Sequence, residues 1–248
     1  MKVISFNIRY TDDPNGHSIE ERAPRLKTIL VKQDADLIGF QEVVPKWMQY
    51  INPDYCDKYE IVYMPRAKTD GEGATVMWKK NKFTLLDKGH FWFSDTPDVE
   101  SRGWDERYNC YRICLWVKLR EIETGKEFVF LDTHFGFGEN GQSKSGRLIA
   151  KRLSELTDTA IVVGDFNMKP EEKPYEVMCE SFTDVNAVTA KDFSTTYHGY
   201  GVCDDEHIDY CFITEKTVEP KSSALITDTV NGKYPSDHFG LCVEVEIK

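Results

Sequence analysis

The chain lacks any long apolar run. None of its hydrophobic stretches approaches the roughly 20 consecutive residues that a helix needs to cross a bilayer, so no transmembrane segment is expected. Met1-Lys2 leads straight into Val3-Ile4-Ser5-Phe6, with neither the apolar core nor the cleavage site of a secretory leader. The cytoplasm is therefore the expected compartment. Positive charge is also scarce. Lys and Arg number 31 against 42 Asp and Glu, a formal net charge of −11. That counts against a general binder of long nucleic acid, whose affinity rests on a basic face that displaces counterions. A local basic groove remains compatible with the total, because carboxylates at a metal site would add to the negative count.

Other absences narrow the chemistry. The seven cysteines form an odd set with no Cys-x-x-Cys pair, which argues for reduced thiols over a disulfide framework. Cys110 and Cys114 lie four apart, as do Cys203 and His207, a spacing that zinc could use. Core burial is the simpler account of such cysteines. There is no Gly-x-Ser-x-Gly elbow, no glycine-rich phosphate loop ending in Lys-Ser/Thr and no His-Glu-x-x-His. Acyl hydrolases, phosphate-loop nucleotide enzymes and zinc peptidases thus lack their signatures.

What is present reads as one domain over residues 1–248, with no compositional boundary. Short apolar runs alternate with amphipathic stretches and turn clusters, the pattern of an α/β or α+β fold. Strands are expected at 2–8, 36–40, 74–79, 83–93, 112–120, 127–135, 160–163, 207–213 and 239–247. Helices are expected at 22–32, where Leu26, Ile29 and Leu30 share a face, and at 143–156. The turn Glu123-Thr124-Gly125 suggests a hairpin between 112–120 and 127–135. One pattern occurs twice. A helix leads into Leu37-Ile38-Gly39-Phe40 and ends on Gln41-Glu42; another leads into Ala160-Ile161-Val162-Val163 and ends on Gly164-Asp165-Phe166-Asn167. Sites in open α/β sheets collect at strand ends of this kind, so two half-sites are expected to meet at one end of the sheets.

Polar clusters mark the remaining strand ends: Asn7, Thr133-His134, His207-Ile208-Asp209-Tyr210 and Ser236-Asp237-His238. Taken singly, each has an ordinary structural account, and Asp165 with Asn167 could close an Asx turn. Together they supply what attack of water on a phosphoester requires. Carboxylate and amide oxygens are hard ligands suited to Mg²⁺ or Mn²⁺. A carboxylate can orient or deprotonate water, and a histidine can donate to phosphoryl oxygens.

In this order, Asn7, Gln41-Glu42, Thr133-His134-Phe135, Gly164-Asp165-Phe166-Asn167, Asp209 and Ser236-Asp237-His238 resemble the endonuclease/exonuclease/phosphatase superfamily. Asn7-Ile8-Arg9-Tyr10, the stretch Phe91-Trp92-Phe93-Ser94-Asp95-Thr96-Pro97, Gly103-Trp104-Asp105 and Arg112 look like its branch of bacterial homologues of the deadenylases. The resemblance implies a four-layer sandwich, two mixed β-sheets face to face with helices outside. It implies Glu42 as principal metal ligand, with Asn7 and Asp237 nearby, and Mg²⁺ or Mn²⁺ as cofactor. Asp165 would position or deprotonate the attacking water, Asn167 would hold the water or a phosphoryl oxygen, and His134 would donate to the phosphate. His238, paired with Asp209, would stabilise charge during in-line displacement. One departure stands out. Relatives in this branch often follow Thr-His-Phe with an acid and a second His, whereas Gly136-Phe137-Gly138 stands here.

Arg9 and Arg112 are the arginines best placed to hold a non-scissile phosphate, and Trp104, in the polar loop 100–109, could wall the site. The expected activity is metal-dependent phosphodiester or nuclease-type hydrolysis. Its substrate would be a phosphoester, with single-stranded nucleic acid or a nucleotide among the candidates. A lipid or sugar/inositol-phosphate hydrolase is the alternative, and a non-catalytic phosphate-binding module is the competing class. No obligate protein partner is implied.

Overall fold

The structure is a computed structural model that describes residues 1–190, 195–203 and 206–248. The first part of the chain forms β1 (Lys2–Asn7), α1 (Ile19–Gln33), β2 (Leu37–Val43), α2 (Pro45–Tyr55), β3 (Tyr59–Ala67) and β4 (Asp70–Lys79). Next come β5 (Phe83–Trp92), β6 (Ile113–Glu121), β7 (Glu127–His134), α3 (Glu139–Leu156) and β8 (Ala160–Asp165). The last third adds α4 (Lys173–Cys179), β9 (Thr183–Asp184), α5 (Val185–Thr189), β10 (Asp209–Ile213), β11 (Val218–Ile226) and β12 (Gly240–Ile247). The strands build two six-stranded sheets, ordered β11-β12-β1-β2-β4-β3 and β5-β6-β7-β8-β10-β9.

The central strands are buried on both faces, which is why they read as unbroken apolar runs. In β1, Val3 faces the space between the sheets while Ile4 and Phe6 face α1 and α2. In β8, Ile161 and Val163 face the inter-sheet core, and Ala160 and Val162 pack beneath α3. Three apolar layers result, one between the sheets and one under each helical layer. This is the expected four-layer sandwich of two mixed sheets.

Each sheet carries one parallel pair. β1 runs parallel to β2 through α1, and β7 runs parallel to β8 through α3. The repeated sequence pattern thus corresponds to two β-α-β units whose parallel strands pack against each other. Because parallel strands end on the same side, Asn7, Gln41-Glu42, His134 and Asp165 leave the sheets together.

Several elements escaped the sequence reading. In α2, Trp47, Ile51 and Tyr55 are buried at four-residue spacing, and Pro45 occupies the first turn, where a missing N–H costs nothing. β3 and β11 are sheet edges with half-exposed, mixed-polarity residues, and β11 carries Pro220 and a register shift typical of guarded edges. Helix α1 begins three residues earlier than the apolar spacing implies. Ser18 and Glu21 form a capping box there.

Buried Arg22 organises the segment after β1. Its guanidinium donates to the carbonyls of His17 (2.7 Å), Arg9 (3.0 Å) and Thr11 (2.6 Å), and also to that of Ile8. Trp47 Nε1 adds a bond to the Arg9 carbonyl at 2.8 Å, and Arg22 lies over the Trp47 ring. Together they hold Arg9 at φ +63°, a left-handed conformation unusual for a non-glycine residue.

At the opposite end of the first sheet, Asp36 accepts from Lys79 Nζ (2.8 Å), Lys82 Nζ (2.9 Å) and the Lys2 N–H (3.0 Å). Burial pushes its carboxyl up, but these donors outweigh burial and hold it below the usual value. Asp36→Ala would leave Lys79 buried without its main partner, at a cost of roughly 3 kcal/mol. The Asp36 contribution is complete above the unfolded-state value near about 3.9 and drains as pH falls through the lower folded-state value. Urea titrations should show the loss at pH 7 and a shallower fall in stability below about pH 4. An unchanged midpoint at pH 7 would refute the anchoring role.

Candidate active site

The ends of β1, β2, β7 and β8 open into a cavity of about 580 Å³. Local backbone features aim side chains into it. The β2–β4 ladder shifts register between Phe40 and Val43, so Gln41 and Glu42 diverge. Gln41 turns into the inter-sheet core, where its Nε2 donates to Asp132 Oδ1 at 2.5 Å, while Glu42 lines the cavity at φ +61°. Bulges commonly re-aim side chains in this way. Asn167 is left-handed as well, with φ +49°. Gly164 is required for close packing, since a Cβ there would sit 2.2 Å from the Thr133 carbonyl oxygen on β7.

Asn7 joins the halves. Its Nδ2 donates to Glu42 Oε1 (3.1 Å) and across the sandwich to Asp165 Oδ2 (2.9 Å), while its Oδ1 accepts from the Arg9 N–H (3.0 Å). The second Glu42 oxygen accepts from the Tyr10 N–H at 2.9 Å. Asp237, from the loop before β12, comes within 3.5 Å of Arg9 Nε. That loop is tied down by Ser236 Oγ, which donates to the Asn7 carbonyl at 2.6 Å.

His238 Nδ1 meets Asp209 Oδ2 at 2.9 Å, and its Nε2 lies 3.8 Å from Asp165 Oδ2. Burial alone would lower its pKa, but the charges and hydrogen bond of Asp209, with Asp165 and Asp237, push it up to about 10. These carboxylates thus favour the imidazolium form of His238. Asp165 is pushed up to about 7 by burial and by the charge of Asp209. Its Oδ1 accepts the Asn167 N–H at 3.0 Å, so the Asx turn is real and coexists with the cavity position.

Asn167 Nδ2 donates to the Phe135 carbonyl (3.0 Å) and stands 3.0 Å from His134 Nε2. The amide nitrogen must be the donor to a carbonyl, so His134 Nε2 accepts and its proton sits on Nδ1. Burial, together with the charges of Arg112, Arg66 and His238, keeps this imidazole well below its ordinary pKa, hence neutral.

The arrangement matches the sequence profile of the Endonuclease/Exonuclease/phosphatase family over residues 4–238. The chain belongs to this family. An endonuclease/exonuclease/phosphatase from Bacteroides vulgatus has the same fold, with 29% identity and TM-score 0.91 over 100% of this chain and 98% of that one. A mannosyl-6-phosphatase from Bacteroides thetaiotaomicron is 25% identical, with TM-score 0.89 over 100% of both chains. The Drosophila melanogaster protein angel is 26% identical over 75% of this chain and 58% of its own length.

The structure thus gathers Asn7, Glu42, His134, Asp165, Asn167, Asp209, Asp237 and His238 at one end of the sandwich. Arg9 also lines the cavity, although its guanidinium already meets Asp13 (3.1 Å) and Asp237. Arg112 lines it from the start of β6. Trp104 does not wall the cavity. Its Nε1 donates to Asp95 Oδ1 (3.1 Å), and its ring packs against the core under α3 beside Lys144. Phe137 does reach the cavity, flanked by Tyr108 and Arg107.

Buried Glu72, at the start of β4, is a wall residue that the sequence reading passed over. It is pushed up to about 7 by burial and the charge of Glu42. A carboxylate between two glycines just before an apolar strand was the available signal. Tyr197 also lines the cavity, its ring edge-on to His238 at 4.9 Å.

Asn7 is fully buried and bonded to both carboxylates. Asn7→Ala should therefore lower stability by about 1–3 kcal/mol, the cost of stranding buried polar partners. A thermal or urea midpoint equal to the wild type would rule out the bridging role.

Proposed function

We propose that the chain hydrolyses phosphoesters with a divalent cation, Mg²⁺ or Mn²⁺, by in-line attack of water. The observation that carries this reading is the convergence from both sheets of Glu42, Asp237 and Asp165 with the His238–Asp209 pair. The donor set fits a hard divalent ion, because carboxylate and amide oxygens are its preferred ligands. Burial, with the charges of Glu42 and Asp209, pushes Glu72 and Asp165 up to about 7, and the repulsive part marks a place where added positive charge is favourable. The Bacteroides relative named as a mannosyl-6-phosphatase supports phosphoester chemistry in this fold.

Glu42 and Asp237 would hold the ion, with Asn7 fixing the Glu42 carboxylate. Ligand atoms of Asp165, Asp209 and His238 also lie within 4.8 Å of one another. We favour Glu42 and Asp237, because both carboxylates line the cavity, whereas Asp209 does not line it and is bonded to His238 Nδ1. When bound, the ion would polarise a phosphoryl oxygen and offset its charge.

The chain's own groups supply the remainder. Asp165 accepts the proton of the attacking water, a task suited to a group that titrates near neutrality. Asn167 holds Asp165 and His134 in register. His238 presents its Nε2–H beside Asp165, where negative charge builds on the phosphoryl group, and Asp209 keeps the ring oriented and charged. Arg107, Tyr108 and Phe137 line the cavity where a leaving group or a nucleotide ring could rest.

Chromogenic phosphoesters should be hydrolysed with Mg²⁺ or Mn²⁺, and EDTA should abolish turnover. Indifference to the chelator would sink the metal mechanism. Asp165→Asn and His238→Ala should each lower kcat on the order of a hundredfold or more in folded protein. Binding of Mn²⁺, followed by electron paramagnetic resonance, should weaken at least about tenfold in Glu42→Gln and far less in Asp209→Asn. The reverse order would move the ion to the Asp165–Asp209–His238 cluster.

A further inference from the structure

Arg112 is held side-on. Its Nε meets Asp105 Oδ2 at 3.3 Å, and the other Asp105 oxygen accepts the N–H groups of Arg107 (3.0 Å) and Tyr108 (2.9 Å). Asp105 is buried and Arg112 only 7% exposed, so neither carboxylate nor guanidinium can swing away. Arg112 Nη1 is buried and has no hydrogen-bond partner among the described residues. His134 Nδ1 is in the same position, and it carries the ring proton because Nε2 is committed to Asn167. Two buried N–H donors without acceptors are costly to maintain unless something arrives to use them.

Both residues line a recess of about 10 Å³, together with Arg66, Glu72 and Tyr111, and Arg66, Glu72, Arg112 and His134 also line the main cavity. That volume holds about one water-sized atom. The acid on its wall, Glu72, is already paired with Arg66 Nη1 at 2.7 Å, and Arg66 Nε is bonded to Asp70 at 2.7 Å. Glu72 Oε1 lies 3.9 Å from His134 Nδ1, beyond hydrogen-bond distance. The recess therefore offers two unused N–H donors to a single acceptor oxygen.

We propose that Arg112 and His134 bind one terminal oxygen of the scissile phosphoryl group, and that the substrate is accordingly a phosphomonoester. This rests on the phosphoester reading above. In in-line attack a monoester has three equatorial non-bridging oxygens, one each for the cation, for His238 Nε2 and for the recess. A diester has only two, so one of these positions would face an alkylated oxygen, and the one-atom recess has no room for its carbon. Arg112 thus acts on the group being transferred rather than on a distant non-scissile phosphate. In the reaction, a water oxygen forms a bond to phosphorus while the ester P–O bond breaks. The leaving alcohol takes up a proton, and inorganic phosphate is released with its terminal oxygen still in the recess.

The test uses the whole protein with Mn²⁺, p-nitrophenyl phosphate against bis-p-nitrophenyl phosphate, and calorimetric binding of inorganic phosphate against dimethyl phosphate. Wild type should favour the monoester in kcat/KM by at least about tenfold, and should bind phosphate in preference to dimethyl phosphate. Arg112→Lys keeps a cation beside Asp105 but has no guanidinium fork. It should lower monoester kcat/KM and phosphate affinity by about 10- to 100-fold, and shift the diester values by less than threefold. Arg112→Met should do the same, with Arg112→Lys guarding against a folding defect.

A diester preference in wild type, equal losses on both esters, or phosphate affinity unaltered in Arg112→Lys would overturn the proposal. Hydrolysis of neither ester, with phosphate binding still dependent on Arg112, would instead remove the catalytic reading and leave the oxyanion recess standing.

Discussion

Two carboxylates, Glu42 from one sheet and Asp165 from the other, meet at the end of the sandwich with one neutral amide between them. Asn7 can bond to both because its Nδ2 has two protons, and its Oδ1 is fixed by the Arg9 N–H. Like charges brought together in a dry cavity repel strongly. Without a donor shared between them, the sheets would gain by splaying at this end. The rest of the site follows from that constraint. Glu42 is brought in by a register shift, Asp165 by the close β7–β8 contact that Gly164 permits, and His238 supplies the compensating positive charge.

A second polar contact lies deeper between the sheets. Asp132 on β7 is bonded to Gln41, and Gly39 leaves it room, since a Cβ at that position would fall 2.7 Å from the Asp132 carboxylate. Burial raises the Asp132 carboxyl well above its ordinary pKa, which favours its uncharged form in the core. The register of one sheet on the other is thus specified by hydrogen bonds in a layer otherwise filled by interchangeable apolar side chains. Gln41 and Glu42 are adjacent: Gln41 bonds directly to the opposite sheet within the core, and Glu42 is linked to it at the end through Asn7.

Much of this was legible in the chain itself. The strands around the core announced themselves through apolar runs, and the motifs at their ends named eight of the residues now found together. Periodicity failed where burial is partial. β3 and β11 are edges whose side chains face both solvent and protein, and α2 is short and interrupted by Pro53. Trp104 was misplaced because a large aromatic in a polar loop looks exposed, whereas its loop folds back under α3. Glu72 is marked in the sequence only by its two flanking glycines, and its place on the wall depends on nearby Arg66 and on Arg112 and His134, which are distant in sequence. Contacts with the distant pair have no local signature.

Arg22 lies on a helix that contributes no group to the cavity, yet its guanidinium holds three carbonyls of the segment bearing Arg9 and a fourth at its far end. The outer helical layer is therefore a mechanical support for the cavity end of β1. Genetic lesions in α1 or at Trp47 would imitate defects of the candidate site while sparing every residue that lines the cavity. A survey of inactive variants would draw the boundary of the functional unit well outside the pocket, along the path of this one buried cation.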